Sequence, residues 1–304
     1  MKHAQWIETP QVRAFEAEQT DAYRLCSFDD GWAERYGSDV LVSYKTEGAL
    51  ERIKTELYVW SLAVDFKFTR VFGRFLPRKN AERDVPSLVV GDAGSNLRTT
   101  AMERLLRYGI DFGTGYSVGL FVDQRENRSF VRRMKAQTLL NCFAYTCAFS
   151  VAAAAAGAET VSVDLSKKSL ARGRENFPLN ALPTVGHRFI ADDVMAFLPR
   201  LARKGEKFDM VILDPPTFSR THRGKAFQVE RDFEALLLSA LEVTERKGHI
   251  LLSTNCTTLN ERGLEVMAKF ALKATRRAGS LHSEPKPDDF APGLAARTVW
   301  LSLR

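Results

Sequence analysis

The chain has 304 residues, of which 45% are hydrophobic and 27% are charged, a composition typical of a folded globular protein with one large and one small domain. No apolar run reaches the length of a membrane-spanning helix, and the N-terminus lacks the apolar core of a signal peptide, so we expect a cytoplasmic protein with no membrane partner. The formal net charge of +7 favours a polyanionic partner such as nucleic acid.

The cysteines show no spacing that predicts a disulfide framework or a metal site. They are Cys26, Cys142, Cys147 and Cys256, and none forms a C-x-x-C pair or stands at metal-ligand spacing from a histidine. We therefore expect no bound metal, and a free catalytic thiol stays open as a prediction.

The N-terminal third is predicted to hold a small α+β domain over residues 21–107, preceded by an arm or first helix over residues 1–20. Residues 22–44 are typical of a strand, a turn and a second strand, with the turn at Asp-Asp-Gly 29–31. Residues 48–64 carry apolar side chains on one helical face and predict a helix.

A basic and aromatic segment covers residues 70–83. Cations alternate there with phenylalanines, at Arg70, Phe72, Arg74, Phe75, Arg78, Lys79 and Arg83. This pattern suits RNA, because cations can bind phosphates while rings stack on bases. The alternative is a strand with solvated charges and phenylalanines in the core.

Residues 107–128 are predicted to hold a β-hairpin between the two domains, and this segment ends in a polar run. Gly113 and Gly115 mark a turn between two strand-like segments. The polar run holds Asp123, Gln124, Arg125, Asn127 and Arg128. It indicates one wall of a ligand site or, equally, the capped and solvated start of a helix.

Residues 138–164 predict a strand, a turn, a helix and a second strand. Residues 138–143 form a short apolar run, residues 149–156 are rich in alanine, Gly157 suits a helix C-terminus, and residues 159–164 have β-branched side chains at alternate positions. Such a βαβ unit predicts a parallel, doubly wound sheet that binds its ligand at the carboxyl ends of the strands.

Asp164 ends the second of these strands, where a carboxylate can accept hydrogen bonds from the ribose of a nucleotide or nucleoside. The preceding turn, residues 143–150, has no G-x-G-x-x-G pattern, so a pyrophosphate would lack the close backbone approach that glycines allow. This favours an adenosyl ligand without phosphates, such as S-adenosylmethionine, over NAD. The alternative is that Asp164 caps the next helix at Ser166.

The alternation of strands and helices then continues. Residues 166–176 predict a helix, 187–191 a strand, and 208–213 the fourth strand of the sheet. Asp193 opens the helix between these two strands, and it can accept from the adenine amino group or cap that helix.

Asp214, Pro215 and Pro216 follow the fourth strand. Proline fixes φ and donates no hydrogen bond, so this pair predicts a stiff platform on which a base can stack, with Asp214 facing the base edge. The alternative is an ordinary proline turn. The basic loop at residues 219–225 includes Arg220, His222, Arg223 and Lys225 and suits phosphate binding.

The fifth predicted strand, residues 249–254, lies between two helices, one over residues 232–243 and one ending near Arg277. Cys256 directly follows this strand, at the sheet edge predicted for Asp214, whereas Cys142 lies inside the first strand and is predicted to be in the core. A strand near Leu281 and a last strand over residues 298–303 complete the chain.

Four motifs occur in order: D-Q-R-E-N-R, N-C-F-A-Y-T-C-A-F-S, D-P-P-T-F and S-T-N-C-T-T-L. Together they resemble the bacterial class I S-adenosylmethionine-dependent methyltransferases that act on large-subunit (23S) ribosomal RNA. Some members of that family make 5-methylcytosine and relatives make 7-methylguanine. The resemblance covers residues 21–304 and is specific over residues 107–259.

The resemblance implies an α/β fold with a doubly wound, mostly parallel seven-stranded Rossmann-like methyltransferase sheet over residues 108–304. The small α+β domain and the β-hairpin would precede it. Two departures stand out: Cys147 and Ala148 replace the glycines of the usual Y-T-G-G-F turn, and the chain starts too late to hold the N-terminal PUA module of many relatives.

The resemblance also implies site residues. Phe143, Ala144, Tyr145 and Thr146 would surround the methionine part of S-adenosylmethionine, with Gln124 and Arg125 nearby. Asp164 and Leu165 would hold the ribose, Asp193 the adenine, and Asp214 would line the methyl-transfer pocket. Pro215, Pro216, Arg220, Arg223 and Lys225 would contact the RNA substrate. Cys256 matches the cysteine of the cytosine-modifying members.

Three functions follow as hypotheses. The first is methylation of cytosine carbon 5 in 23S ribosomal RNA, with Cys256 as the nucleophile and Asp214 beside it. The second is methylation of another base atom, such as guanine N7, which needs no nucleophile. The third is a non-catalytic RNA-binding protein on the same fold, suggested by the altered turn at Cys147.

Overall fold

The computed structural model describes residues 5–76, 84–92, 94, 96–220 and 226–304. Arg78, Lys79, Arg83, Arg223 and Lys225 therefore lie outside the described residues. Two compact units divide the chain, Met1–Asp123 with Pro287–Pro292 and Gln124–Lys286 with Gly293–Arg304. This division falls at residue 123, inside the segment 107–128 that was expected to hold a hairpin, whereas the predicted domain boundary was at residue 107.

In its described residues, the first unit combines a six-stranded sheet, two helices and a separate pair of strands. Its elements are β1 (Gln5–Trp6), α1 (Thr9–Ala17), β2 (Ala22–Phe28), β3 (Gly31–Tyr36), β4 (Asp39–Tyr44), α2 (Glu47–Ala63), β5 (Arg70–Phe75), β6 (Ser87–Val90), β7 (Arg98–Glu103) and β8 (Leu106–Asp111). Strands β1 to β6 pair in chain order, and only β4 and β5 pair in parallel, because α2 connects them.

Helix α2 follows the sequence prediction closely. The Thr46 hydroxyl caps its N-terminus by accepting from the Ala49 N–H at 3.2 Å. Leu50, Ile53, Leu57 and Trp60 are buried against the sheet. The predicted amphipathic face is therefore confirmed.

Residues near the N-terminus belong to this unit. β1 pairs with β2, the Trp6 and Trp60 rings stack at 5.0 Å, and the Trp60 indole N–H donates to the Ile7 carbonyl at 2.9 Å. Residues 22–44 form three strands rather than the predicted two, because a second reversal follows Tyr36, at Gly37 with φ +64°.

The hairpin lies earlier than predicted. β7 and β8 pair with each other through a turn at Arg104 and Leu105, which have φ angles of +46° and +75°. Gly113 and Gly115 follow β8, and residues 116–121 form no strand. The prediction placed the turn at the glycines because Arg-Leu carries no glycine or asparagine signal for a left-handed turn.

Arg70 and Arg74 are buried, contrary to both interpretations of the basic aromatic segment. Arg70 pairs with Asp39 at 2.6 Å, and the Arg74 guanidinium donates to the Ser43 hydroxyl at 2.7 Å. These two side chains are held inside the first unit, and Phe72 is in its core as expected. Neither cation is available to an RNA phosphate in this conformation.

The second unit alternates strands and helices. Its elements are α3 (Arg125–Met134), β9 (Thr138–Cys142), α4 (Ala148–Ala154), β10 (Glu159–Asp164), α5 (Lys167–Glu175), β11 (Arg188–Ala191), α6 (Val194–Arg203), β12 (Phe208–Leu213), β13 (Phe218–Arg220), β14 (Ala226–Gln228), α7 (Val229–Glu242), β15 (Thr244–Thr254), α8 (Glu261–Ala274), β16 (Gly279–His282) and β17 (Arg297–Leu303).

A seven-stranded sheet is confirmed in this unit, with the order β11-β10-β9-β12-β15-β17-β16. β11, β10, β9, β12 and β15 run parallel, and β17 is antiparallel to both of its neighbours. The order reverses between β9 and β12, and ligands in doubly wound sheets bind where the strand order reverses.

The βαβ unit that anchors the sheet also follows the prediction. Ala152 and Ala153 of α4 are buried, so small side chains let this helix lie close to the strands. Gly157 takes a φ of +97°, two residues beyond the C-cap, where only glycine is free of strain. In the described part of the chain, no helix is long and apolar enough to cross a membrane.

Candidate active site

The turn after β9 passes through three left-handed residues without a glycine. Phe143, Tyr145 and Cys147 have φ angles of +59°, +46° and +58°. The Ala144 N–H donates to the Val163 carbonyl at 3.0 Å, and the Cys147 N–H donates to the Ala144 carbonyl at 2.7 Å. These hydrogen bonds hold the turn against the end of β10 and compensate part of its backbone strain.

The Cys147 side chain fits into this turn because Gly173, on the neighbouring helix α5, has no side chain. The cysteine side chain is fully buried, and a Cβ added at Gly173 of α5 would lie 2.4 Å from the Cys147 sulfur. Gly173 therefore leaves the room that Cys147 occupies. Sequence reasoning missed this residue, although a glycine inside a helix costs about 1 kcal/mol relative to alanine and so signals a packing reason.

Asp164 holds the turn from the carboxyl end of β10. Its Oδ2 accepts from the Tyr145 N–H at 2.9 Å, and its Oδ1 accepts from the Ser166 N–H at 2.8 Å. Burial raises the pKa of this carboxyl, and the two backbone donors lower it. Each oxygen keeps a second lone pair. The cap of α5 is Ser166, whose hydroxyl accepts from the Ser169 N–H at 3.1 Å.

An open cleft lies beside this turn. The Phe143 and Phe227 rings are 5.6 Å apart, and the Asp193 carboxylate caps α6 by accepting from the Met195 N–H at 3.1 Å. The lining residues are Phe143, Leu165, Asp193, Val194, Met195, Ser219, Ala226, Phe227, Arg231 and Asp232. Six of these ten lining residues are apolar, and the charged ones are Asp193, Arg231 and Asp232, so the cleft offers apolar walls and hydrogen-bond acceptors to a ligand.

Asp214 follows β12 at the neighbouring position of the sheet edge. Its Oδ1 accepts from the Ser253 hydroxyl at 2.6 Å and from the Gln124 amide at 3.4 Å. The Gln124 amide also donates to the Ser253 oxygen at 2.7 Å, while Asn127 donates to the Gln124 carbonyl at 2.9 Å. The structure thus brings Gln124 to Asp214, and sequence reasoning missed Ser253.

The remaining predicted residues differ in exposure. Arg125 is 1% exposed, and its Nε lies 3.5 Å from Glu126. Pro215 is buried and Pro216 is exposed directly after Asp214. Arg220 pairs with Ala226 in the β13–β14 hairpin, but its side chain, like Arg223 and Lys225, is outside the described part of the chain.

Cys256 lies two residues beyond β15. Its sulfur is 3.0 Å from the Thr258 hydroxyl, and its own N–H donates to the Thr254 hydroxyl at 3.0 Å. The side chain is 5% exposed, between two exposed neighbours. Because β12 and β15 pair in parallel, Cys256 and Asp214 follow adjacent strands, as the sequence predicted.

The other two thiols of this unit are unsuited to nucleophilic chemistry. Cys142 is fully buried in the hydrophobic core, as expected, and burial raises its pKa strongly. Burial also raises the pKa of Cys147 to about 12, so this thiol stays protonated near neutral pH. No group of three or more His, Cys, Asp or Glu side chains that could hold a metal occurs among the described residues.

Comparisons with known proteins identify the family. A family model described as S-adenosylmethionine-dependent methyltransferase matches residues 69–292. The chain is 32% identical over 291 residues to the Bacillus subtilis protein named putative ribosomal RNA large subunit methyltransferase YwbD, covering 92% of this chain and 72% of the relative. Identity to ribosomal RNA large subunit methyltransferase I of Aeromonas salmonicida is 28%, covering 97% and 76%.

Solved structures agree with the fold. The structure of SMU.776, a putative methyltransferase complexed with SAH, matches with a TM-score of 0.82 at 27% identity. The match covers 97% of this chain and 79% of the SMU.776 chain. An Agrobacterium tumefaciens methyltransferase has a TM-score of 0.70 at 19% identity, covering 93% and 90%, and supports the fold alone. The chain therefore belongs to the family of S-adenosylmethionine-dependent methyltransferases, and S-adenosylmethionine is its cofactor.

Proposed function

We propose that this enzyme methylates carbon 5 of a cytosine in large-subunit ribosomal RNA, with Cys256 as the nucleophile. The names of the relatives and the positive net charge support ribosomal RNA as the substrate. The observation that carries the cytosine chemistry is the position of Cys256. It follows β15, the parallel neighbour of β12, and β12 is the strand that Asp214 follows. The Asp214 carboxylate accepts from the Ser253 hydroxyl of β15 at 2.6 Å.

The chemistry requires a nucleophile because carbon 5 of cytosine is too weak a nucleophile alone. The Cys256 sulfur adds to carbon 6, and the electrons of the carbon 5–carbon 6 double bond make carbon 5 enamine-like. S-adenosylmethionine supplies an electrophilic methyl group. A base then removes the proton from methylated carbon 5, the double bond re-forms, and the thiolate leaves. Asp214 would bind the N3 and amino edge of the base.

The residues around the first turn would hold the cofactor. Asp164 would accept from the ribose hydroxyls through its remaining lone pairs, with Leu165 against the sugar. Asp193 would accept from the adenine amino group in the cleft beside Phe143. The segment Ala144, Tyr145 and Thr146 would enclose the methionine part. Gln124 would orient Asp214 through the hydrogen bond that its amide donates. Arg125, the next residue, is buried and would help to fix the position of Gln124.

The substrate base must leave its stack to reach this edge of the sheet. Pro215 and Pro216 would give it a rigid surface beside Asp214. Arg220, Arg223 and Lys225 would bind the flanking phosphates from the β13–β14 loop.

Methylation of guanine N7 is the second candidate, and the burial of Cys256 favours it. At 5% exposure the thiol must be uncovered before it can reach a base, whereas N7 needs only alignment with the methyl group. The non-catalytic alternative loses its motivation, because Gly173 accommodates the altered turn at Cys147.

RNA with 5-fluorocytosine at the target distinguishes the two chemistries. Fluorine cannot leave as a proton does, so we expect a denaturant-resistant enzyme–RNA adduct that depends on S-adenosylmethionine and is absent in Cys256→Ala. Cys142→Ala is the matched control and should still form the adduct. If Cys256→Ala methylates RNA at the parental rate, the covalent mechanism is wrong and guanine N7 takes its place. Mass-spectrometric analysis of ribosomal RNA nucleosides identifies the product.

A further inference from the structure

The Cys256 thiol begins a chain of two hydrogen bonds that ends at a carboxylate. Its sulfur lies 3.0 Å from the Thr258 hydroxyl, which donates in turn to the Glu230 carboxylate. Thr258 follows β15, and Glu230 lies in the first turn of α7, so two separate elements bring these groups together. Glu230 and Thr258 are exposed, whereas Cys256 is almost fully buried.

The direction of the hydrogen bonds follows from the number of hydrogens. A threonine hydroxyl has one hydrogen, and an ionised carboxylate can only accept. The Thr258 hydrogen therefore points to Glu230, and the Thr258 oxygen can only accept from the thiol. The chain runs from the Cys256 S–H through the Thr258 O–H to the Glu230 carboxylate.

Charged side chains follow Glu230 on α7. Arg231 and Asp232 pair with each other at 2.8 Å. Within the described parts of the chain, no lysine or arginine nitrogen lies within ion-pair distance of Glu230. Cysteine nucleophiles are commonly activated by a neighbouring cation or by a base. Here the group in line with the thiol is a base.

We propose that Thr258 and Glu230 are a proton relay for Cys256, an inference that rests on the proposed addition of this thiol to cytosine. As the sulfur–carbon 6 bond forms, the S–H bond breaks and its proton passes to the Thr258 oxygen, while the Thr258 proton passes to Glu230. The π electrons of the carbon 5–carbon 6 bond move into the ring toward N3. A carboxylate binds a proton less tightly than a thiolate in water, so the transfer accompanies the addition rather than preceding it.

The relay also serves the last step. Glu230 is exposed, so its carboxyl can exchange the proton with solvent during the reaction. When the thiolate leaves carbon 6, a proton returns through Thr258 and restores the thiol. No oxidant, reductant or metal is needed, and the protein ends the cycle as it began.

Two substitutions test the relay with little change of shape. Glu230→Gln keeps an oxygen that accepts from Thr258 but cannot take the proton, and Thr258→Val keeps the side-chain shape without the hydroxyl. Thr258→Ser keeps the hydroxyl and is the conservative variant. Glu234→Gln on the same helix and Thr257→Val beside Cys256 are exposed, matched controls. The measurement is the single-turnover rate of adduct formation by the full chain with S-adenosylmethionine and 5-fluorocytosine RNA.

We expect Glu230→Gln and Thr258→Val each to slow adduct formation by about 100-fold or more, as for loss of a general base. Thr258→Ser and both controls should stay within about threefold of the parental rate, and all variants should bind S-adenosylmethionine normally in calorimetry. A parental rate in either Glu230→Gln or Thr258→Val, while Cys256→Ala forms no adduct, overturns the relay alone. Absence of the adduct in the parental protein overturns the proposed function and the relay with it.

Discussion

Cys147 occupies a left-handed backbone position that usually belongs to glycine. Such a conformation costs a residue with a side chain about 1–2 kcal/mol. Burial of the side chain against Gly173 offsets this cost. The space is tight, because a Cβ added at Gly173 would also lie 3.0 Å from the Thr146 carbonyl carbon. The two residues, 26 positions apart in the sequence, therefore form one packing unit.

A double-mutant cycle should reveal this coupling. Gly173→Ala is expected to lower the free energy of unfolding by about 1–3 kcal/mol, because the new methyl group overlaps the Cys147 sulfur. In a Cys147→Gly background the same change should cost about 1 kcal/mol or less, since only the Thr146 contact remains and alanine favours the helix. Urea titration of the four proteins measures the coupling. Additive effects would show that the two residues do not share this space.

Asp164 offers a second test at a single residue. Asp164→Ala should weaken S-adenosylmethionine binding by about 1–3 kcal/mol, because charge-assisted hydrogen bonds to the ribose are lost. Calorimetry measures this affinity directly. Asp209→Ala is the matched control, since Asp209 accepts from Thr138 at the opposite end of the strands. Unchanged affinity in Asp164→Ala would refute the ribose assignment.

Among the elements, those with strong periodicity were predictable and those with unmarked turns were not. Helix α2 and strands β9, β10 and β12 follow their predicted bounds within about one residue, because apolar spacing fixes which face is buried. The β7–β8 turn was missed because its left-handed residues are Arg104 and Leu105. Burial of Arg70 was missed because its partner, Asp39, lies on a neighbouring strand, and the sequence does not show which strands pair.

The same reasoning explains how much of the site could be predicted. Asp164, Asp214 and Cys256 could be proposed from the sequence because each lies at or just beyond the end of a strand, and parallel strands place such residues at one edge. Ser253 lies inside β15 and Thr258 beyond it, and neither belongs to a pattern that the sequence alone marks. Their roles depend on distances of 2.6 Å and 3.0 Å that only the folded chain defines.

The β13–β14 loop carries a prediction at the scale of an element. If Arg220, Arg223 and Lys225 bind phosphates, their triple substitution by alanine should weaken RNA binding and lessen its dependence on salt. The slope of log affinity against log salt should fall in magnitude by about 2–3, since each phosphate contact contributes about 0.7–0.9. Filter binding at several salt concentrations measures it. A charge-matched control is the triple variant Arg203→Ala, Lys204→Ala and Arg276→Ala. If it changes the salt dependence of RNA binding equally, the effect comes from the lost net charge and not from this loop.

For the whole molecule, the formal net charge is +7. Arg24, Arg70 and Arg74 are buried inside the first unit together with the acids Glu34 and Asp39, so these three cations do not add to the positive charge at the surface. Net charge therefore indicated the class of partner, while the sequence segment that looked most basic supplied two cations to the interior.

Each unit contains a half-buried carboxyl whose titration affects stability. Burial raises the pKa of Asp21 and of Asp164 above the usual value of 3.8. The folded protein therefore binds these protons more tightly than the unfolded chain, so their contribution to stability is greatest below pH 3.8 and falls as pH rises through the folded pKa. Asparagine does not titrate, so Asp21→Asn and Asp164→Asn should remove the fall in stability that each carboxyl causes as pH rises.

The expected result is that each variant gains stability relative to the parental protein between pH 4 and pH 7. Urea unfolding at both pH values measures the difference in unfolding free energy. A pH-independent difference for Asp21→Asn or Asp164→Asn would show that its pKa is not raised by folding.

The packing of Cys147 against Gly173 also restricts the order in which these positions can change over time. A cysteine at 147 fits best when residue 173 lacks a side chain, because a Cβ there would lie 2.4 Å from the sulfur. A protein with glycine at both positions could accept the cysteine without this overlap, whereas one with alanine at 173 would lose stability. The change from glycine to a better helix former at 173 likewise carries a stability cost for as long as Cys147 is present. The chain's history is thus constrained at two sites that no sequence motif connects.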